Sequence, residues 1–83
     1  MKVSQMAPNQ LIIFTPEATF FQSYQSIIVK KTFENGEPVT YLDRSTWDYS
    51  KTTGKYRNKF LGEDKAATEK KIKSGEYLLA DLN

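Results

Sequence analysis

Between Trp47 and Lys59 the chain interleaves aromatic and basic side chains: Trp47, Tyr49, Lys51, Lys55, Arg57 and Lys59. Ammonium and guanidinium groups meet phosphates, while an exposed indole or phenol ring stacks on a base or fills a partner's pocket. From Arg44 to Lys59 five bases stand against one acid, Asp48, a local charge of +4; the remaining residues carry seven bases and nine acids. Positive charge is thus concentrated in one stretch of a chain whose formal net charge is only +2. A plainer reading fits the same residues: a helix with a wet Lys face, with Trp47, Tyr56 and Phe60 belonging to the core. The two combine if Tyr56 and Phe60 are buried while Lys55 and Lys59 are exposed.

Other constellations are weaker. Glu69-Lys70-Lys71 matches the Glu-x-Lys fragment of metal-dependent nucleases, but it reads as the charged, solvated end of a helix. Asp43, Asp48 and Asp81 lack the spacing of a calcium loop; Asp43 and Asp48 are better suited to satisfying a turn around Arg44-Ser45-Thr46. Ser50-Lys51-Thr52-Thr53-Gly54 lacks the order of a phosphate loop and reads as a helix cap, whose free N–H groups can still receive a phosphate oxygen. Cysteine and histidine are both absent, which removes thiol chemistry, the commonest general base and the commonest metal ligand. No G-x-S-x-G elbow is present. The expectation is a binding protein rather than an enzyme, with no metal and no cofactor.

The elements that must position these residues follow from pattern. The 83 residues, 39% apolar and 13% aromatic, suffice for a single domain, 1–83, with one modest core. Residues 1–9 read as a flexible arm. Leu11–Thr15, Thr19–Tyr24, Ser26–Phe33 and Val39–Leu42 read as strands. Ser26–Phe33 shows no clean alternation, so neither of its faces is marked as buried. Asn35-Gly36 predicts a type I′ hairpin turn between the last two strands, and Pro38 suits only an edge or the start of a strand. Thr52 or Thr53 can cap a helix through about Leu61 that Gly62 ends; Glu63 and Asp64 open a second, ended by Gly75. The tail, with Tyr77, Leu78, Leu79 and Leu82, is apolar enough to dock. The fold expected is α+β: a small antiparallel sheet of about four strands, then two short helices and a docked apolar tail. The strand from Pro38 to Leu42, or the tail, could pair with a second copy, so monomer and homodimer both remain open. No apolar run approaches the length of a membrane span, and no secretory signal opens the chain, so a soluble, intracellular protein is expected.

The block Trp47-Asp48-Tyr49-Ser50, Thr52-Thr53, Lys55-Tyr56-Arg57-Asn58 and Phe60-Leu61-Gly62 resembles a family of small uncharacterised proteins encoded by phages and mobile elements of Gram-positive bacteria. The ending Lys71-Ile72-Lys73-Ser74-Gly75-Glu76-Tyr77 with Asp81-Leu82-Asn83 is similar to it too, as is the opening Leu11–Phe14 followed by Phe21–Tyr24. The resemblance covers about Gln10 to Asn83. It implies a mobile-element origin, the cytoplasm of a bacterial host, and a host protein as partner. A defence nuclease inhibited in the manner of an anti-CRISPR protein is one such partner. The alternative is nucleic-acid binding through the basic and aromatic segment 44–59.

Overall fold

Asn35 and Gly36 turn the chain with φ of 54° and 80°, the pair of left-handed conformations that a type I′ turn requires, and Glu34 pairs with Glu37 across it. In the computed structural model, which describes residues 1–83, this turn joins β4 (Ser26–Glu34) to β5 (Glu37–Asp43). Before them run β1 (Lys2–Ala7), β2 (Gln10–Phe14) and β3 (Ala18–Ser23), and after them α1 (Lys51–Leu61), α2 (Lys65–Ser74) and β6 (Tyr77–Ala80). The six strands form one sheet in chain order, antiparallel except for the parallel pair β5–β6. The class is α+β, as expected.

Two strands exceed the expected four. Residues 1–9 are not a loose arm: Lys2–Ala7 pairs with β2 as an edge strand, and Ala7 lies opposite Gln10 across a turn made by Pro8 and Asn9. Only Val3 in this strand is β-branched or aromatic, so propensity alone is silent there. The turn was the available signal, since Pro followed by a residue at positive φ (Asn9, 65°) is turn chemistry. The tail docks as β6, parallel to β5, because α1 and α2 carry the chain back across the sheet before it pairs. β5 is therefore interior from Thr40 to Asp43, not an edge free for a second copy. Pro38 lies outside that span, opposite Phe33, so its missing N–H removes no bond to β6.

The unclear alternation of β4 has a definite cause. Pairing with β3 passes from Phe21–Val29 to Gln22–Ile27, so Ile28 is an extra residue, a β-bulge. The bulge lets the consecutive residues Ile28 and Val29 both reach 0% exposure, which a regular strand with its period of two does not allow on one face. With Phe21, Leu42 and Tyr77 they make the core, and Trp47, Tyr56, Phe60, Leu61 and Ile72 pack over it from the loop and helices. Phe60 stacks on Phe21 with ring centroids 5.8 Å apart. Both helices thus cover one face of the sheet. On the other face a row of directly paired residues, Val3, Ile13, Phe20, Lys30, Tyr41 and Leu78, crosses all six strands with no helix over it.

Two carboxylates fasten the ends of this arrangement. Glu63, between the helices, accepts hydrogen bonds from Lys71 Nζ (2.7 Å), Thr68 Oγ1 (2.6 Å) and Tyr77 Oη (2.9 Å), tying the helix junction to α2 and β6. Asp43, at the end of β5, accepts from the N–H groups of Ser45 and Thr46, from Thr46 Oγ1, and from the N–H of Leu82. Burial pushes both carboxyls up. The hydrogen bonds from Lys71, Thr68 and Tyr77 outweigh it at Glu63, and those from Leu82, Thr46 and Ser45 at Asp43. Both groups are therefore held below their ordinary values, 4.5 for Glu63 and 3.8 for Asp43. A depressed carboxyl contributes stability that is fully present above its unfolded value and is lost as pH falls through the folded one. The urea midpoint is accordingly expected to fall as pH drops below about 4.5. Glu63→Gln is expected to cost about 1–3 kcal/mol at neutral pH and to flatten that acid dependence.

Candidate anion-binding cleft

Ser50 starts α1: its Oγ accepts from the N–H of Thr53 at 3.1 Å. The cap therefore lies two or three residues earlier than the two threonines suggest. Thr53 is instead fully buried, its hydroxyl 2.8 Å from that of Ser23 on β3, which pins the first turn of α1 to the sheet. Gly62 ends the helix. No acid lies in the first turn and Lys51 is the first helical residue. A cation at the positive end of the helix dipole is unfavourable, by about 0.3–1 kcal/mol. Lys51, Lys55 and Lys59 follow at successive i, i+4 steps, like charges along one face that cost about 0.2–0.5 kcal/mol per pair. None of the three takes part in any ion pair of the structure. Lys55 and Lys59 flank the Tyr56 ring instead, at 5.4 and 5.2 Å from its centroid.

An open cleft of about 510 Å³ runs beside this helix. Tyr49, Lys51, Lys55 and Arg57 of the expected set line it, joined by Asp48, Ser50, Gly54, Asn58 and, from the start of α2, Lys65. Tyr49 is 50% exposed. Lys59 lies one turn beyond the cleft on the same helix face. Arg44 is elsewhere, with Nη2 donating to the Leu79 carbonyl on β6, so the local excess of charge read from sequence is divided between two places.

Two members of the expected set hold structure. Arg57 is 1% exposed, not a free surface base. Its Nη1 donates to the Trp47 carbonyl, its Nη2 donates to Asn58 Oδ1 at 3.0 Å, and its guanidinium lies over the Trp47 ring at 5.3 Å. Asp48 stands 3.6 Å from Arg57 Nη1 and 2.7 Å from Lys65 Nζ. The hydrogen bond to Asp48 raises the Lys65 pKa, with its charge adding to the effect. Trp47 is half-buried against the core. Asp43 satisfies the turn as expected, whereas Asp48 is committed to Arg57 and Lys65. No three carboxylates gather into a group able to hold a metal ion. Lys65 and Asn58 were not among the expected site residues. Asn58 is visible as the next helical step from Lys51 and Lys55, but nothing local signals that α2 returns Lys65 to this cleft.

The arrangement can attract and hold an anion: four cations face one carboxylate at the start of a helix. It offers no nucleophile paired with a base. Arg57→Met is expected to cost about 2–3 kcal/mol, lowering the thermal midpoint by about 10–20 °C and changing Trp47 emission. Lys51→Ala with Lys55→Ala removes the cation at the positive helix end and the like-charge pairs, and should leave stability unchanged or raise it by about 1 kcal/mol.

No curated protein and no solved structure matches the chain. The model of DUF8033, a family of unknown function, matches residues 1–76, nearly the whole of the sheet and helices just described. The chain belongs to the DUF8033 family.

Proposed function

We propose that the protein is a non-enzymatic, nucleic-acid-binding protein that engages the phosphate backbone through α1. The observation that carries this reading is the row Lys51, Lys55 and Lys59, unpaired with any carboxylate and spaced as like charges along one helix face, with Lys51 at the positive end of the helix. Such a row weakens the isolated fold, and an anionic polymer relieves it. Three phosphate contacts give a plot of log affinity against log salt with a slope of about −2 to −3, the shallower value for single strands. Lys55→Glu with Lys59→Glu is expected to flatten that slope to about −1 without unfolding the protein. Failure of both single- and double-stranded DNA and RNA to bind at low salt would dismiss the reading.

A second reading rests on the uncovered sheet face, where Val3 is 51% and Leu78 41% exposed and where Ile13 and Phe20 lie in the same row. Exposed apolar patches of this kind mark protein partners. Here the chain would act, as a mobile-element protein in the cytoplasm of its bacterial host, on a host protein such as a defence nuclease. Ile13→Lys with Phe20→Lys should then abolish co-purification with that protein and any inhibition of defence, while leaving oligonucleotide affinity unchanged. Equal inhibition by the variant would count against this face.

A further inference from the structure

Gly54 lies inside α1, where glycine weakens a helix relative to alanine. Its backbone does not require glycine: the residues with left-handed φ among the glycines are Gly36, Gly62 and Gly75. Nor does packing forbid a side chain there. A Cβ on Gly54 would stand 3.6 Å from Nη1 and 3.7 Å from Nη2 of Arg57, ordinary contact distances. What a side chain would remove is space, since Gly54 and Arg57 both line the cleft.

The guanidinium beside that space is 99% buried, given its 1% exposure, and its Nε has no hydrogen-bond partner. Asp48 answers its charge only in part, being closer to Lys65 (2.7 Å) than to Arg57 (3.6 Å). Lys51 and Lys55 stand on the same lining with no carboxylate of their own. Tyr49, half exposed, completes that lining with an aromatic ring.

We infer that this cleft seats one phosphate of a single-stranded nucleic acid over Gly54, between Lys51 and Lys55, with an adjacent base stacked on Tyr49. The inference rests on the nucleic-acid reading above and narrows it. A phosphate on the Lys row alone could belong to a duplex or a single strand. Stacking on Tyr49 needs a base face that a duplex keeps inside its own stack, so the seat selects single strands. Glycine at position 54 leaves room for the phosphate beside the buried guanidinium charge.

The test is fluorescence anisotropy at low salt with a short labelled oligothymidine, a duplex of equal length, and polyglutamate as competitor. Oligothymidine is expected to bind about ten-fold or more tightly than the duplex and to resist polyglutamate. Tyr49→Ala should lose about ten-fold for oligothymidine while Tyr49→Phe retains it. Gly54→Gln should hold or raise the thermal midpoint yet lose affinity by a similar factor. If Gly54→Gln does not fold, the contrast between the two Tyr49 variants decides. Equal binding of duplex and single strand, with both Tyr49 variants unchanged, overturns the seat but leaves the nucleic-acid reading standing. Competition by polyglutamate as strong as by unlabelled oligothymidine reduces the cleft to general charge and also overturns the seat. Absence of binding to either nucleic acid overturns the broader reading and the seat together.

Discussion

Arg57 carries a permanent positive charge into a site that is 1% exposed. A buried guanidinium is costly unless nearly every donor is answered. Here the answers come from the Trp47 carbonyl, from Asn58 and from Asp48, with the Trp47 ring lying under the plane. Three of these four contacts belong to the loop between β5 and α1. The need to satisfy one charge thereby fixes how that loop leaves the sheet and where α1 begins. Asp48 also reaches Lys65, so the same charge balance extends to the first residue of α2.

With the loop held, the remaining pieces lock in sequence. Thr53 meets Ser23 and sets the first turn of α1 against β3. Phe60 lies on Phe21 at the other end of the helix. Glu63 gathers Thr68, Lys71 and Tyr77, so the helix pair delivers the chain to β5 in the parallel sense. The consequence for function is a division of labour within one short block. Thr53 and Arg57 are buried, Trp47 is half-buried beside them and Asp48 reaches Arg57 from the surface, and these four bear structure, while Tyr49, Lys51, Lys55 and Lys59 are exposed. A basic segment read as one surface is in fact an inner clasp and an outer row, offset by the helical period of 3.6 residues.

Much of this was legible in the sequence. The Asn35-Gly36 turn, both helix ends at Gly62 and Gly75, the Asp64 cap and the α+β order all depend on interactions within a few residues, and local chemistry predicts them. The exposed lysines and Tyr49 of the candidate site followed from composition and helical spacing. Arg57 was expected in the site and lines it, but its burial was not legible, because a guanidinium at that position is equally suited to solvent until Trp47 and Asp48 are brought against it from the preceding loop.

The sequence by itself determined the class of the fold, its Asn35-Gly36 hairpin, the helix ends at Gly62 and Gly75, and the residues that give α1 its charge, since all of these are set by φ preferences and periodicity over short distances. Tertiary structure alone decided the rest. A strand with little β propensity, Lys2–Ala7, is a strand because β2 offers it a partner. Ile28 and Val29 are buried together because β3 and β4 slip by one residue. Tyr77–Ala80 pairs with β5 because the helices bring it there. The cleft exists because Lys65, fourteen positions after Lys51, is returned to the same wall. Each of these depends on which distant groups the chain places in contact, and no local pattern of residues encodes that.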